Sequence, residues 1–150
     1  GKPHHRHERG VAAVEMAIIL SLLVLLLSGT LLAGRLFWHY TVAQKAAHDA
    51  AIFLAKTPQN QIRSQVSASQ NANVARDISA LETADLRLRD PAITFVRCGA
   101  WECLGGAILP ATVSVRVEMA VHDEIFNIQP PGATDGWLIW AEVTMPYTGQ

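Results

Sequence analysis

The residue whose type and position most constrain the chemistry of this chain is Glu15. It is the single charged group in the 23-residue apolar run VAAVEMAIILSLLVLLLSGTLLA, Val11–Ala33. A carboxylate at the centre of a membrane helix costs about 2.5–3.5 kcal/mol, so such a group has a partner or reaches the headgroups. Both readings are open for Glu15 on position alone. The residues before it add a third element: Gly10 lies five positions upstream, after a short basic stretch, in the order Gly-Val-Ala-Ala-Val-Glu. A cut after Gly10 would free an α-amine at Val11 and make Glu15 the fifth residue of the product. An ammonium and a carboxylate about 4 Å apart at an effective dielectric near 20 attract by roughly 4 kcal/mol, which offsets the burial cost. Formed between neighbouring subunits, the pair would also set the register of one helix against the next.

Cys98 and Cys103 enclose Gly-Ala-Trp-Glu, four residues where redox-active pairs have two, and two further zinc ligands are not at hand. A disulfide closing the loop is the economical reading in an oxidising compartment, worth roughly 2 kcal/mol for so short a loop. Trp101 at the loop tip is expected to tuck back toward the core, a contact with another subunit being the other reading. His4, His5 and His7 lie in the basic leader and read as part of its positive flank rather than as metal ligands. His122-Asp123-Glu124 would need further oxygens from elsewhere to hold a cation, and an exposed polar turn explains it equally. His48 and Asp49 are adjacent on a helical stretch and are expected to point about 100° apart, unlike a catalytic pair. The chain has no Gly-rich phosphate loop, serine elbow or zinc-helix motif. The expectation is a protein that is not an enzyme, with no cofactor, no metal and no evident small-molecule substrate.

The elements that position these residues begin with the apolar run. As a helix it spans roughly 35 Å, enough to cross a hydrocarbon core of about 30 Å. A cleaved secretory signal would have an apolar core of about 7–15 residues and small residues three and one before the cut. This run is longer, and Ala33 near its end has Leu31 two positions earlier. A retained membrane helix is the better reading. Lys2, Arg6 and Arg9 precede it, while Arg35 and Lys45 follow within fifteen residues. That asymmetry puts residues 1–10 in the cytoplasm and residues 34–150, with both cysteines, outside. Beyond the membrane, Leu36, Tyr40, Ala43, Ala47, Ala50 and Leu54 recur at steps of four and three, opposite Lys45, His48, Asp49 and Lys56. The periodicity extends the helix to Lys56, where Thr57-Pro58 ends it, for a length of roughly 69 Å from Val11. The outer stripe is expected to face this chain's own core, and its three alanines would also permit close approach of another backbone.

Gln59–Asn73 is rich in Gln, Asn and Ser and reads as a polar connector, partly helical at most. Val74, Ile78 and Leu81 share one helix face, with Asn73 available as an N-cap, which predicts a short helix there. Asp90-Pro91 opens a strand-forming region with three candidates: Ile93–Cys98, Thr112–Val121 and Trp137–Met145. The second alternates strictly, with Val113, Val115, Val117, Met119 and Val121 on one face and Ser114, Arg116 and Glu118 on the other. The expected fold class is α+β: a long N-terminal helix, membrane-spanning in its first half, packed against a small antiparallel sheet. The organisation is a leader over 1–10, a long helix over 11–56 spanning the membrane at 11–33, and an extracytoplasmic domain over 57–150.

Composition fits. Half of the 150 residues are apolar, 17% are charged and the net charge is −1, with a mean hydropathy of +0.19. That excludes a disordered chain, a disulfide-framework miniprotein and a basic nucleic-acid-binding field. The run RGVAAVEMAIILSLLVLLLSGTLLAGRLFWHY, Arg9–Tyr40, resembles the amino terminus of TadE-like minor pilins, or pseudopilins, of the tight-adherence (Tad) pilus. It has the basic leader, Gly10, Glu15, the hydrophobic helix and then Gly34, Arg35, Leu36 and Phe37. The resemblance covers about the first 56 residues and extends more loosely to ATVSVRVEMAV and WLIWAEVTMPY. Met16 stands where the family usually has an aromatic residue. The resemblance implies a pilin-like fold, cleavage after Gly10 by a prepilin peptidase, and a place in or beside a pilus. Its implied partners are other pilin or pseudopilin subunits and inner-membrane lipid. The expected location is the bacterial inner membrane, single-pass, with the C-terminal domain periplasmic or carried into an extracellular pilus. Position 1 is Gly, not an initiator Met, which leaves room for a leader longer than ten residues. The alternative is an uncleaved bitopic receptor or sensor whose outer domain binds a ligand.

Overall fold

The computed structural model describes residues 8–123, 127–132 and 136–149, with side chains from Val11 onward. The chain divides into two units, Gly1–Arg35 and Leu36–Gln150. Helix α1, Glu8–Ala55, supplies all the described structure of the first unit and enters the second.

In the first unit nearly every side chain from Val11 to Ala33 is exposed within the chain. The hydroxyls in this stretch turn back onto the helix: Ser21 Oγ donates to the Ala17 carbonyl at 2.8 Å, Ser28 Oγ to Leu25 at 2.8 Å and Thr30 Oγ1 to Leu27 at 2.9 Å. Such back-bonding satisfies donors that water cannot reach, as a helix in hydrocarbon requires. Among the described residues this is the one helix long and apolar enough to cross a membrane.

The second unit is built on small side chains. Ala43, Ala46, Ala47, Ala50, Ala51 and Leu54 of α1 are fully buried. The stripe is therefore broader than the expected seam: Ala46 and Ala51 join it, Leu36 is half-buried and Tyr40 lies outside it. The helix ends at Ala55, one residue before Lys56, with Thr57-Pro58 following as expected. Two further helices follow, α2 (Gln59–Arg63) and α3 (Gln65–Thr83), then a single 3-10 turn at Ala84–Leu86. The polar connector is thus mostly helix. Ser64, not Asn73, is the N-cap of α3, accepting from the Ser67 backbone N–H, while Asn73 sits mid-helix and accepts from Arg76 at 2.8 Å. The buried face of α3 is Ala68, Ala72, Ala75, Ser79 and Thr83, with Ile78 half-buried beside it; Val74 is exposed and Leu81 is 76% exposed. Reading the largest aliphatic residues as the core face failed because that face is made of Ala, Ser and Thr. The Ser79 and Thr83 hydroxyls donate to the Ala75 and Ser79 carbonyls at 3.1 and 2.9 Å, which removes the cost of burying them. On the rim, the Lys45 ammonium of α1 pairs with Glu82 of α3.

The sheet has four strands where three were expected: β1 (Ile93–Cys98), β2 (Trp101–Glu102), β3 (Thr112–Val121) and β4 (Trp137–Pro146). The order is β2-β1-β3-β4, antiparallel throughout. On β3 every second residue is buried, from Val113 to Val121, as its alternation dictates. That valine face forms one core with the alanines of α1 and α3, Val96 and Ala141.

The last residues close this core over the end of α1. The Ala55 carbonyl accepts from the Thr148 backbone N–H (3.0 Å), Thr148 Oγ1 (3.0 Å) and the Gly149 N–H (3.2 Å), and the Tyr147 hydroxyl donates to the Thr57 carbonyl at 2.7 Å. Carbonyls at a helix C-terminus have no intrahelical donor, so this tail supplies their partners. Burial raises the Tyr147 phenol above its ordinary value of 10.0. A phenol that holds its proton more tightly when folded contributes stability below pH 10, and the contribution is lost as pH rises through the folded value. Tyr147→Phe should therefore lower unfolding stability at neutral pH by about 1 kcal/mol. The deficit should narrow above pH 10, as read by urea titrations of the detergent-solubilised chain at pH 7, 9 and 10.5.

Candidate functional site

Two groups of residues emerged from the sequence, and they lie in different units of the chain. In the first unit, Gly10, Val11 and Glu15 all belong to α1. Val11 and Glu15 are four residues apart, hence one turn and about 6 Å along the helix axis on the same side. Both are exposed within the chain. Glu15 thus stands on the same helix face as the amine that a cut after Gly10 would create, open to a neighbouring chain. Lys2, Arg6, His4, His5 and His7 lie outside the described residues.

In the second unit, Cys98 and Cys103 are joined by a disulfide, with their Cα atoms 4.9 Å apart. The bridge ties the end of β1 to the residue after β2. Cys98 pairs with Trp101 across the ladder, leaving Gly99-Ala100 as a two-residue hairpin turn. Gly99 has φ +71° and Ala100 does not share the positive value, which suits the II′ turn that favours Gly at its first central position. This is the signal that could have disclosed the fourth strand. It also corrects the placement of Trp101. Both residues of this two-residue edge strand are exposed, Trp101 at 81%.

Trp101, Leu104, Ile108 and Pro110 line a cleft of about 400 Å³ floored by Ile62 of α2 and Cys98. The segment that forms its wall is held against the helices at one close approach. Gly105 has φ +78°, and a Cβ there would meet the Gln65 N and Cα at 2.8 Å, while the Gly106 N–H donates to the Arg63 carbonyl at 3.2 Å. Sequence reasoning did not identify Leu104 and Ile108. Two exposed aliphatics flanking Gly105-Gly106 were the available sign.

The remaining candidates resolve as structure. Asp123 is buried and its Oδ2 accepts from the Ile128 N–H at 3.1 Å, beside a half-buried His122; Glu124 lies outside the described residues. His48 Nδ1 and Asp49 Oδ1 are 3.4 Å apart, so the two side chains converge where divergence was expected. Both are solvent-exposed enough to lean together beyond their Cβ directions, and Asp49 also lies 3.9 Å from Lys45, making this a surface charge cluster. Among the described residues no group of three His, Cys, Asp or Glu side chains could hold a metal ion.

Compared with known families, residues 10–51 match the family model described as TadE-like protein. The matched segment starts at Gly10 and contains Val11, Glu15 and the Gly34-Arg35-Leu36-Phe37 run. The N-terminal resemblance read from the sequence is therefore a TadE-like domain match. No curated protein and no solved structure matches the chain.

The disulfide hairpin and the Gly105 approach each give a stability test. Replacing both cysteines, Cys98→Ser with Cys103→Ser, should cost about 2 kcal/mol through the lost loop constraint. Gly105→Ala should cost on the order of 2 kcal/mol, because the backbone is in the left-handed region and the atoms in the way are themselves backbone. Urea unfolding followed by tryptophan emission measures both.

Proposed function

We propose that this chain is a minor pilin or pseudopilin that takes part in assembly of a Tad-type pilus, held in the bacterial inner membrane by α1 until it joins other subunits. The observation that carries the reading is the TadE-like match over residues 10–51, which opens on Gly10 and takes in Glu15. The family is generally structural rather than enzymatic. On this reading a prepilin peptidase cuts after Gly10, Val11 becomes the amino terminus, and the Val11 ammonium of one subunit pairs with Glu15 of the next. Residues 1–10 are cytoplasmic, and the domain from residue 57 onward is periplasmic, where the Cys98–Cys103 disulfide persists. The physical support is that α1 between Val11 and Ala33 has exposed apolar side chains all round apart from Glu15, with its hydroxyls bonded to its own backbone. Such a surface is stable only in lipid or against other apolar helices.

The amino-terminal mass of the protein recovered from membranes, with the peptidase present and absent, tests the processing step. A chain beginning at Val11 only when the peptidase is present is the expected result. Retention of Gly10 in both preparations overturns it and leaves an uncleaved bitopic receptor or sensor, for which the cleft beside Trp101 is the place to seek a ligand. The assembly step is tested by Glu15→Ala. Membrane insertion should be unchanged and incorporation into pili or pilin complexes should fall by roughly tenfold or more, since losing about 1.4 kcal/mol of a pair worth roughly 4 kcal/mol suffices. Normal incorporation of that variant would exclude the role given to Glu15.

A further inference from the structure

One apolar surface of the outer unit, resting on the core only through the half-buried Leu36 and Ile139, leaves large side chains exposed and takes no part in the proposed helix pairing. Leu36, Phe37 and Tyr40 of α1 line an open groove together with Leu138, Ile139 and Trp140 of β4. Phe37 is 69% exposed, Leu138 67% and Trp140 51%, and Trp38 is exposed beside them. A strand with one face toward solvent carries polar residues on that face. Along β4 the outward residues run Leu138, Trp140, Glu142, Thr144, so the strand is apolar at one end and polar at the other. The apolar end is the one that shares the groove with Leu36, Phe37 and Tyr40.

We infer that this groove is a membrane-contact surface, through which the outer domain rests on the outward-facing leaflet of the membrane that α1 crosses. The inference rests on the membrane-anchor reading of α1 and adds a second contact to it. Chain connectivity keeps the groove near the end of the span. Phe37 and Tyr40 follow Ala33 by four and seven residues, about 6 and 10 Å along a helix, so Phe37 falls within and Tyr40 just beyond an interfacial layer of roughly 5–7 Å on each side of the hydrocarbon core. Leu138 and Trp140 join them as lining of the same groove. The residue types fit that layer, in which Trp and Tyr place an apolar ring against acyl chains and a polar atom among headgroups. Glu118 stands opposite Trp140 and Glu142 opposite Arg116 in the register, and the Arg116 guanidinium lies 4.6 Å from the Trp140 ring centroid, so charged groups begin at Trp140, while Leu138 at the end of the strand stands opposite Ala120. A lipid interface explains this gradient along one strand. Burial beneath another subunit would favour an apolar surface continuing across the strand.

The test uses the full chain in vesicles of phosphatidylcholine and phosphatidylglycerol in which part of the lipid is brominated, either high on the acyl chain or deep. Single-tryptophan chains keep Trp140 or Trp101, and a third carries Leu25→Trp as the only tryptophan, reporting the span. Trp140 emission should be quenched at least twofold by the shallow bromines, Trp101 should be unaffected, and the Leu25→Trp reporter should be quenched by the deep bromines. An unquenched Trp140 with a quenched Leu25→Trp reporter overturns the membrane contact and leaves the anchor intact; a blue-shifted but unquenched Trp140 does the same and marks a protein partner in that place. An unquenched Leu25→Trp reporter overturns the anchor reading itself. Should the substituted chains fail to fold, 5-fluorotryptophan at all four native positions gives the same comparison, with the Trp140 fluorine signal broadened by headgroup spin labels and the Trp101 signal sharp.

Discussion

A single helix, Glu8–Ala55, has to satisfy two environments, and the rest of the chain follows from that demand. From Val11 to Ala33 its side chains are apolar apart from Glu15, Ser21, Ser28 and Thr30, and nearly all are exposed within the chain. Beyond the exposed Phe37, Trp38 and Tyr40, its buried residues keep to one side and shrink to alanine, from Ala43 to Ala51. A helix in lipid has no need of a one-sided stripe, because the solvent is as apolar as its side chains. A helix in water needs such a stripe and an element to cover it. The change of pattern at Gly34-Arg35 therefore marks where the chain must begin to supply its own core, and the division into two units falls at the same place.

An alanine stripe brings backbones close but removes little apolar surface per residue. At about 25 cal/mol per Å² a buried alanine contributes far less than a leucine, and few large side chains in this core are fully enclosed beyond Leu54 and the valines of β3. The outer unit makes up the difference with covalent and polar closures at its margins. The disulfide fixes the β1–β2 hairpin, the Tyr147–Gly149 tail seals the end of α1, and Gly105 lets the loop after the hairpin touch the α2–α3 junction. Small domains commonly add such staples where the core is thin.

The legible parts of the sequence were those in which residue size reports environment. The long apolar N-terminal helix, the alternating β3, the stop at Thr57-Pro58 and the α+β plan all rest on contrasts between large apolar and charged residues. The illegible parts were those in which small or polar residues do the burying. Helix α3 was read from Val74 and Leu81, which face solvent, because Ala68, Ala72, Ala75, Ser79 and Thr83 look polar or neutral in a row of Gln, Asn and Ser. Strand β2 is two residues long and is defined by the geometry of Gly99 and not by any pattern of its own. Of the candidate site residues, the cysteine pair is found bonded. Trp101 was misplaced because an exposed tryptophan reverses the usual inference from size to burial.

On the proposed function, the placement of Glu15 has an energetic consequence that reaches beyond register. Held in the bilayer alone, its carboxylate carries a cost of about 2.5–3.5 kcal/mol, reduced toward a helix end where it can reach headgroups. Once Val11 is the first residue, Glu15 stands near the positive end of the helix dipole, worth roughly 0.3–1 kcal/mol, which does not cover the remainder. On this reading a second chain offering its amine at about 4 Å supplies roughly 4 kcal/mol, in competition with the amine one turn away on the same helix. Assembly is favoured to the extent that the neighbour's amine approaches more closely than the chain's own, and cleavage is the step that creates either partner. An apolar residue at position 15 would make the monomer comfortable in lipid and remove the difference between the two states. On the proposed function, that difference is what a charge at position 15 contributes in a segment otherwise suited to remain in the membrane.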